Sequence, residues 1–162
     1  MKKQHFFINS GKLIINDPVQ IFNDNNHFVL DNVLDGCYVV RFDYNNDRLI
    51  TFIEIVNVDF EFYDLVPMFT DDVYSVFCFS TMLGIFDSNF YLENTNNQES
   101  ANKFYDLCCH VTSSSDGCDI IDNACFVCDC SIDDYKIRTA VYDGKIIGLK
   151  VYKTKENFQK LS

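Results

Sequence analysis

Residues 135–152 read YKIRTAVYDGKIIGLKVY, the stretch that indicates the fold most clearly. Residues with high β propensity lie on both sides of Asp143 and Gly144, a pair that supports the positive φ angles of a type I′ turn. Because such a turn joins two antiparallel strands directly, the stretch predicts a β-hairpin with strands over residues 135–142 and 145–152.

Short runs of the same kind, separated by polar turns, recur along the chain. Further strands are predicted over residues 12–16, 28–30, 38–44, 49–56, 60–63, 73–79 and 124–130. The chain has only two prolines and no repeat or low-complexity tract, so no linker divides it. We therefore expect residues 1–162 to form a single domain.

One helix interrupts this series of strands. Apolar residues recur at the spacing of one helical face at Ala101, Phe104, Tyr105, Cys108 and Val111. This pattern predicts a helix over residues 98–111, with Thr95 and Gln98 as its capping box, and a shorter helix over residues 88–92. The sequence thus predicts an α+β fold, mostly β, in which antiparallel sheets form a sandwich with one covering helix near residues 98–111.

The composition limits the classes of partner. The chain carries 24 acidic and 13 basic residues, a net charge of −11, and 48% of its residues are hydrophobic. This hydrophobic content is enough to form a folded core. Nucleic acid and anionic membranes are disfavoured as partners, because the negatively charged protein repels their phosphate groups. The longest apolar stretch, residues 73–86, is too short to cross a bilayer of about 30 Å. We expect a protein partner, no nucleic acid and no membrane.

The eight cysteines carry the main chemical alternatives. The first residues, MKKQHFFINSGK, contain no cleavable hydrophobic segment, which predicts reduced thiols in a bacterial or host cytosol, with virion association as a further expectation. Candidate zinc ligands are Cys109, His110, Cys118, Cys125 and Cys128. Only one pair has the spacing of a zinc knuckle, and cysteine is also a small buried hydrophobe, so the sequence favours buried thiols over zinc.

Familiar catalytic motifs are absent: the chain has no nucleophile elbow, no H-E-x-x-H and no glycine-rich phosphate loop. A dyad of Cys37 or Cys78 with His27 or His110 stays open, because sequence separation does not decide spatial contact. Strand alternation assigns Phe77 and Phe79 to the core. Exposure of the aromatic residues at 60–69 would instead mark an interface.

Four motifs, in order, resemble those of an uncharacterised family of bacterial and phage proteins, a domain of unknown function. They are SGKLIINDP at residues 10–18, DGCY at residues 35–38, STMLGIFD at residues 80–87 and the closing strand GKIIGLK at residues 144–150. The resemblance spans about residues 8–152. The family's glycine-rich motif S-G-Y-G-D-G is degenerate here, because no glycine lies between Gly117 and Gly144. The resemblance implies a mostly β domain with one helix, and it implies no activity.

Together these features favour a non-enzymatic binding or structural protein of a phage, a virus or an AT-rich bacterium. The sequence assigns no catalytic or cofactor-binding residue. Two alternatives remain open, a cysteine-dependent enzyme or thiol sensor and a zinc-stabilised small domain.

Overall fold

A computed structural model describes residues 4–19, 28–114 and 116–153. Those ranges contain eleven strands and two helices. The strands are β1 (Gln4–Ile8), β2 (Leu13–Asn16), β3 (Phe28–Leu30), β4 (Gly36–Tyr44), β5 (Ile50–Asn57), β6 (Tyr74–Cys78), β7 (Met82–Asp87), β8 (Cys118–Ile121), β9 (Cys125–Asp129), β10 (Asp133–Tyr142) and β11 (Lys145–Lys153). The helices are α1 (Ser88–Asn94) and α2 (Gln98–Thr112).

The strands form two antiparallel sheets. The first sheet has the order β1-β4-β5-β11-β10-β6, and the second has the order β3-β2-β7-β9-β8. The predicted hairpin is confirmed, since Tyr142 pairs with Lys145 across Asp143 and Gly144, whose φ angles are 50° and 76°. The predicted α+β class, mostly β with two antiparallel sheets, is confirmed as well.

The two sheets enclose the main core, and both helices cover the outer face of the second sheet. Inward side chains such as Ile53 from the first sheet and Ile85 from the second are fully buried in one cluster between the sheets. On the other face of the second sheet, Phe86 packs against Tyr91 of α1 and Phe104 of α2. The molecule is therefore a β-sandwich with a third, helical layer.

Two local predictions near the helices and turns were wrong. Residues 60–63 do not form a strand: a 3₁₀ turn spans Val58–Phe60, because the side chain of Asn57 accepts a hydrogen bond from the Asp59 amide at 3.0 Å. The N-cap of α2 is Asn97, not Thr95, and its side chain accepts from the Ser100 amide at 2.8 Å. In both places a short polar side chain that binds nearby amides sets the element boundary.

The prediction that Phe77 and Phe79 belong to the core was also wrong. The two side chains are 44% and 56% exposed, while Val76 and Cys78 face the interior. Alternation along β6 was read correctly, but the assignment of its faces was reversed. The two exposed rings contact each other edge-on, with centroids 4.6 Å apart.

Two serine–aspartate clamps fasten the ends of the neighbouring strands β2 and β7. At one end, the Asp87 carboxylate accepts from the Ser10 hydroxyl at 2.8 Å and from the amides of Asn9, Ser10 and Phe90. At the other end, the buried Asp17 carboxylate accepts from the Ser80 hydroxyl and from the amides of Val19, Phe79 and Ser80. Each carboxylate is satisfied by four donors and holds the pair of strands in register.

Candidate functional site

The structure separates the five candidate zinc ligands into different layers. Cys118 and Cys128 lie opposite each other on β8 and β9 and face the core between the sheets. Cys125 faces the helices, in the same cluster as Cys108 of α2. Cys109 packs half-buried beside that cluster, and His110 is exposed.

The opposite orientations of Cys125 and Cys128 follow from their spacing, because residues three apart on a strand point to opposite faces. In the described part of the chain, no three His, Cys, Asp or Glu side chains form a group that could hold a metal ion. Zinc binding by Cys109, His110, Cys118, Cys125 and Cys128 stays a prediction. His27, one candidate for a Cys–His dyad, lies outside the described residues.

The buried thiols are held in their protonated form. Burial raises the pKa of Cys108 to about 12 and that of Cys118 to about 11. A hydrogen bond with Cys130, followed by burial, raises the pKa of Cys78. Because the thiolate is the nucleophile, these environments disfavour a reactive cysteine at neutral pH.

Burial also raises the pKa of the two thiols of β9 and of the half-buried thiol of β4. It raises the pKa of Cys125 and of Cys128 well above the ordinary value, and it also raises the pKa of Cys37. The Cys128 thiol donates to the Leu83 carbonyl at a sulfur–oxygen distance of 3.6 Å. Cys125 and Cys128 therefore behave as parts of the core.

We expect the native protein to show at most two thiols that react with Ellman's reagent at neutral pH. Cys37 and Cys109 are half-buried, whereas the other six cysteines are buried and react only when the chain opens. The measurement is the number of thiols titrated before and after adding denaturant, which exposes all eight. Rapid, stoichiometric labelling of any of the six buried thiols in the native protein would revive the thiol-sensor alternative.

A groove lined with aromatic residues lies on the surface where the turn after β5 meets the β10–β11 hairpin. Its volume is about 460 Å³, more than twice that of the clefts of about 210 Å³ beside β1 and β6. We call it the aromatic groove and define it by the residues Leu34, Asp59, Phe60, Tyr63, Tyr142, Asp143, Lys145 and Ile147.

Three rings of the aromatic groove form a continuous surface. The Phe60 ring lies in the middle, with centroid distances of 5.5 Å to Tyr63 and 5.2 Å to Tyr142. Tyr63 and Tyr142 are 62% and 54% exposed. Phe62, which lies in the same turn as Phe60 and Tyr63, is 90% exposed and adds to the apolar surface. A contiguous exposed aromatic surface of this kind is typical of a binding site.

The frame that carries these rings is fastened to the first sheet. Asn57 is 2% exposed and caps the turn, and the Tyr63 amide donates to the Phe60 carbonyl at 3.1 Å. Glu61 pairs with Arg41 of β4 at 3.4 Å. On the opposite wall, Tyr142 and Lys145 are fixed by the type I′ turn. A partner would therefore meet rings that are already in position, which lowers the entropic cost of binding.

No family model matches the chain, and comparisons with curated proteins and with solved structures find no match. Neither helix in the described part has the length and the apolar sequence needed to cross a membrane.

The aromatic groove was not predicted from the sequence. The sequence pattern indicated only that the aromatic residues at 60–69 would mark an interface if exposed, and Phe62 and Tyr63 are exposed. It did not connect them with Tyr142, which lies about eighty positions away along the chain. The signal that could have done so is Tyr142 itself, because a tyrosine directly before a type I′ turn stands at a sheet end.

Proposed function

We propose that this chain is a non-enzymatic binding protein that docks a partner protein through the aromatic groove. The observation that carries the proposal is the contiguous ring surface formed by half-buried Phe60 and by exposed Tyr63 and Tyr142, on a frame that is held in place. Tyrosine and phenylalanine are enriched at protein interfaces, because each offers a large contact area at little conformational cost.

Two buried carboxylates and three buried thiols elsewhere in the molecule have structural roles, which supports a non-enzymatic function. Asp17 and Asp87 are occupied by backbone amides and serine hydroxyls. The thiols of Cys78, Cys108 and Cys118 have raised pKa values because of a hydrogen bond or of burial. A nucleophilic thiol needs the opposite tuning, a pKa lowered toward neutral pH.

The net charge and the cysteines support the proposed kind of partner and the proposed location in the cell. The net charge of −11 opposes nucleic acid and favours a protein as the partner. We propose the reducing cytosol of a bacterium, or of the host of a phage or virus, as its location, because six of its eight cysteines are buried as core residues.

Site-specific photo-crosslinking tests the proposal. A benzophenone amino acid replaces Tyr63 in one variant and Leu107 in another, and both variants are produced in the cells that naturally make the protein. Leu107 is 41% exposed on α2, in the helical layer, and serves as the matched control. We expect a discrete adduct from position 63 that position 107 does not give.

The captured protein is then identified, purified and titrated against the unlabelled chain. We expect replacement of Tyr142 by serine to weaken its binding at least tenfold, since truncation of a central interface aromatic typically costs about 2 kcal/mol or more. The proposal fails if position 63 gives no adduct, if position 107 gives the same adduct, or if Tyr142→Ser leaves the affinity unchanged.

A further inference from the structure

The chemistry of the aromatic groove also indicates what kind of segment it binds. Resting on the proposed function, we infer that the groove receives an extended segment of the partner that carries arginine. Three features carry the inference: the ring surface, the two carboxylates at its rim and the charge of the whole chain.

The rings favour a flat or cationic group over a purely aliphatic one. The planes of Phe60 and Tyr63 are inclined by 48°, and those of Phe60 and Tyr142 by 54°, so the rings present faces at different angles along the groove. A guanidinium group stacks on such faces and is attracted by their negative quadrupole. An extended backbone, in turn, suits shallow grooves lined with aromatic side chains.

Two exposed carboxylates accompany the rings. Asp59 belongs to the turn wall and Asp143 to the hairpin wall of the groove. Arginine can stack on a ring and donate to a carboxylate at the same time, because its planar fork carries five donors. Lysine, a point charge on a flexible stem, meets both requirements less well.

The same chain uses this kind of contact elsewhere on its surface. At Phe69, the Lys150 ammonium lies 4.4 Å and the Arg138 guanidinium carbon lies 5.9 Å from the ring centroid. Those two cations come from neighbouring strands of the first sheet. The aromatic groove offers three rings and two carboxylates to a cation that comes from outside.

Charge also disfavours two other occupants of the groove, a second copy of this chain and an acidic segment. A second copy of this chain would carry the same net charge of −11, so self-association is opposed by long-range repulsion. An acidic segment would meet Asp59 and Asp143 at the rim. Lys145 also lines the groove, and its positive charge repels a cationic segment. Removing that charge should therefore strengthen the binding of an arginine-containing segment.

The probe is a blocked peptide of sequence Arg-Pro-Arg-Pro-Arg, compared with the blocked peptide Glu-Pro-Glu-Pro-Glu. Both are titrated into the intact chain, and the ring signals of Phe60, Tyr63 and Tyr142 are followed by NMR. We expect saturable shifts of these signals with the arginine peptide, which weaken as salt is raised because exposed charges are screened. The glutamate peptide should leave the signals in place.

Charge variants make the result specific to the groove. The double change Asp59→Asn and Asp143→Asn should weaken the arginine peptide at least tenfold, as two charge-assisted contacts are lost. Lys145→Gln should strengthen it several-fold. Asp106→Asn, on the exposed side of α2, is the matched control and should leave the affinity unchanged.

The inference is overturned if the arginine peptide shifts none of the three ring signals, if the glutamate peptide shifts them equally, or if the double aspartate variant binds as tightly as the parent. These outcomes differ from a failure of the proposed function. A crosslinked partner whose binding needs Tyr142 but is insensitive to Asp59 and Asp143 would keep the binding site and remove only its preference for arginine.

Discussion

Replacing Asp17 by alanine is expected to lower the free energy of unfolding by about 3–5 kcal/mol. The Asp17 side chain is fully buried, and its carboxylate accepts the amides of Phe79 and Ser80 at 2.6 Å each, together with the Ser80 hydroxyl and the Val19 amide. Alanine leaves these donors without an acceptor. The cost of the change is therefore mainly that of buried, unsatisfied hydrogen-bond donors.

The measurement is urea unfolding, supported by the thermal midpoint, which should fall by about 6–20 °C for a chain of this size. Asp17→Asn keeps the shape but turns one acceptor oxygen into a donor, so it should destabilise the protein as well. Asp47→Ala, in an exposed turn, is the control and should change the stability by less than about 0.5 kcal/mol. A loss below about 1 kcal/mol for Asp17→Ala would contradict the clamp.

Raising the pH from about 8 to about 10 is expected to destabilise the protein strongly. Thiols in the unfolded chain lose their protons near the ordinary pKa of 9.0, whereas the buried thiols keep them to about pH 11 at Cys118 and about pH 12 at Cys108. Unfolding therefore releases protons, and the free energy of unfolding falls as the pH rises through this window. The contribution of the buried thiols to stability is fully retained below about pH 8.

The expected slope is steep because five buried thiols contribute to it. They are Cys78, Cys108, Cys118, Cys125 and Cys128. Between pH 9 and pH 10 each thiol lowers the free energy of unfolding by about 1 kcal/mol, because the unfolded thiol is only partly ionised at its ordinary pKa. The five together lower it by about 5 kcal/mol, which is comparable with the whole stability of a marginal domain.

Urea unfolding under reducing conditions, repeated at several pH values, measures this slope. A double variant, Cys108→Ala with Cys125→Ala, removes two of the five titrating groups and should reduce the slope by about two-fifths. Equal stability at about pH 8 and pH 10 in the parent protein would show that burial does not hold these protons.

Sequence patterns predicted the elements whose structure is decided locally and failed where it is decided by packing. The β10–β11 hairpin was predictable because Asp143 and Gly144 accept positive φ angles. Strand β7 was not predicted, because all six residues of Met82–Asp87 are buried and alternation is absent. A strand covered by a sheet on one face and helices on the other carries no period of two.

The short strands β1 and β8 were missed for a related reason. Gln4–Ile8 and Cys118–Ile121 have five and four residues, too few for a convincing pattern. The turn after β8 is formed by Asp122 and Asn123, with φ angles of 50° and 55°. This pair without glycine gives a weaker turn signal than Asp143-Gly144.

The residues that carry the family resemblance turn out to have structural roles. Ser10 and Asp17 flank β2, Ser80 precedes β7 and Asp87 ends it, and the four side chains make the two clamps. Gly84 has a role in packing, because a Cβ there would overlap the Phe86 ring. These motifs explain the register of the second sheet and indicate no reaction, and membership in the family stays a prediction.

The aromatic groove could not be read from the sequence because its walls are distant along the chain. Phe60 follows β5 and Tyr142 ends β10, and they meet because β11 lies between β5 and β10 in the first sheet. Only the exposure of the side chains distinguishes these rings from the core aromatics Tyr38 and Phe126. Neighbouring residues along the chain do not determine that exposure.

The central claim is that the aromatic groove binds a partner protein. Calorimetric titration of the partner identified by photo-crosslinking tests this claim most directly. The purified partner is titrated with the parent chain, with the groove variant Tyr63→Ser/Tyr142→Ser, and with the control Leu107→Ser on α2. We expect the groove variant to bind at least a hundredfold more weakly, as two central aromatic side chains are lost, and the control to bind like the parent. Equal affinity of the groove variant and the parent, with both folded, would contradict the claim that the aromatic groove is the binding site.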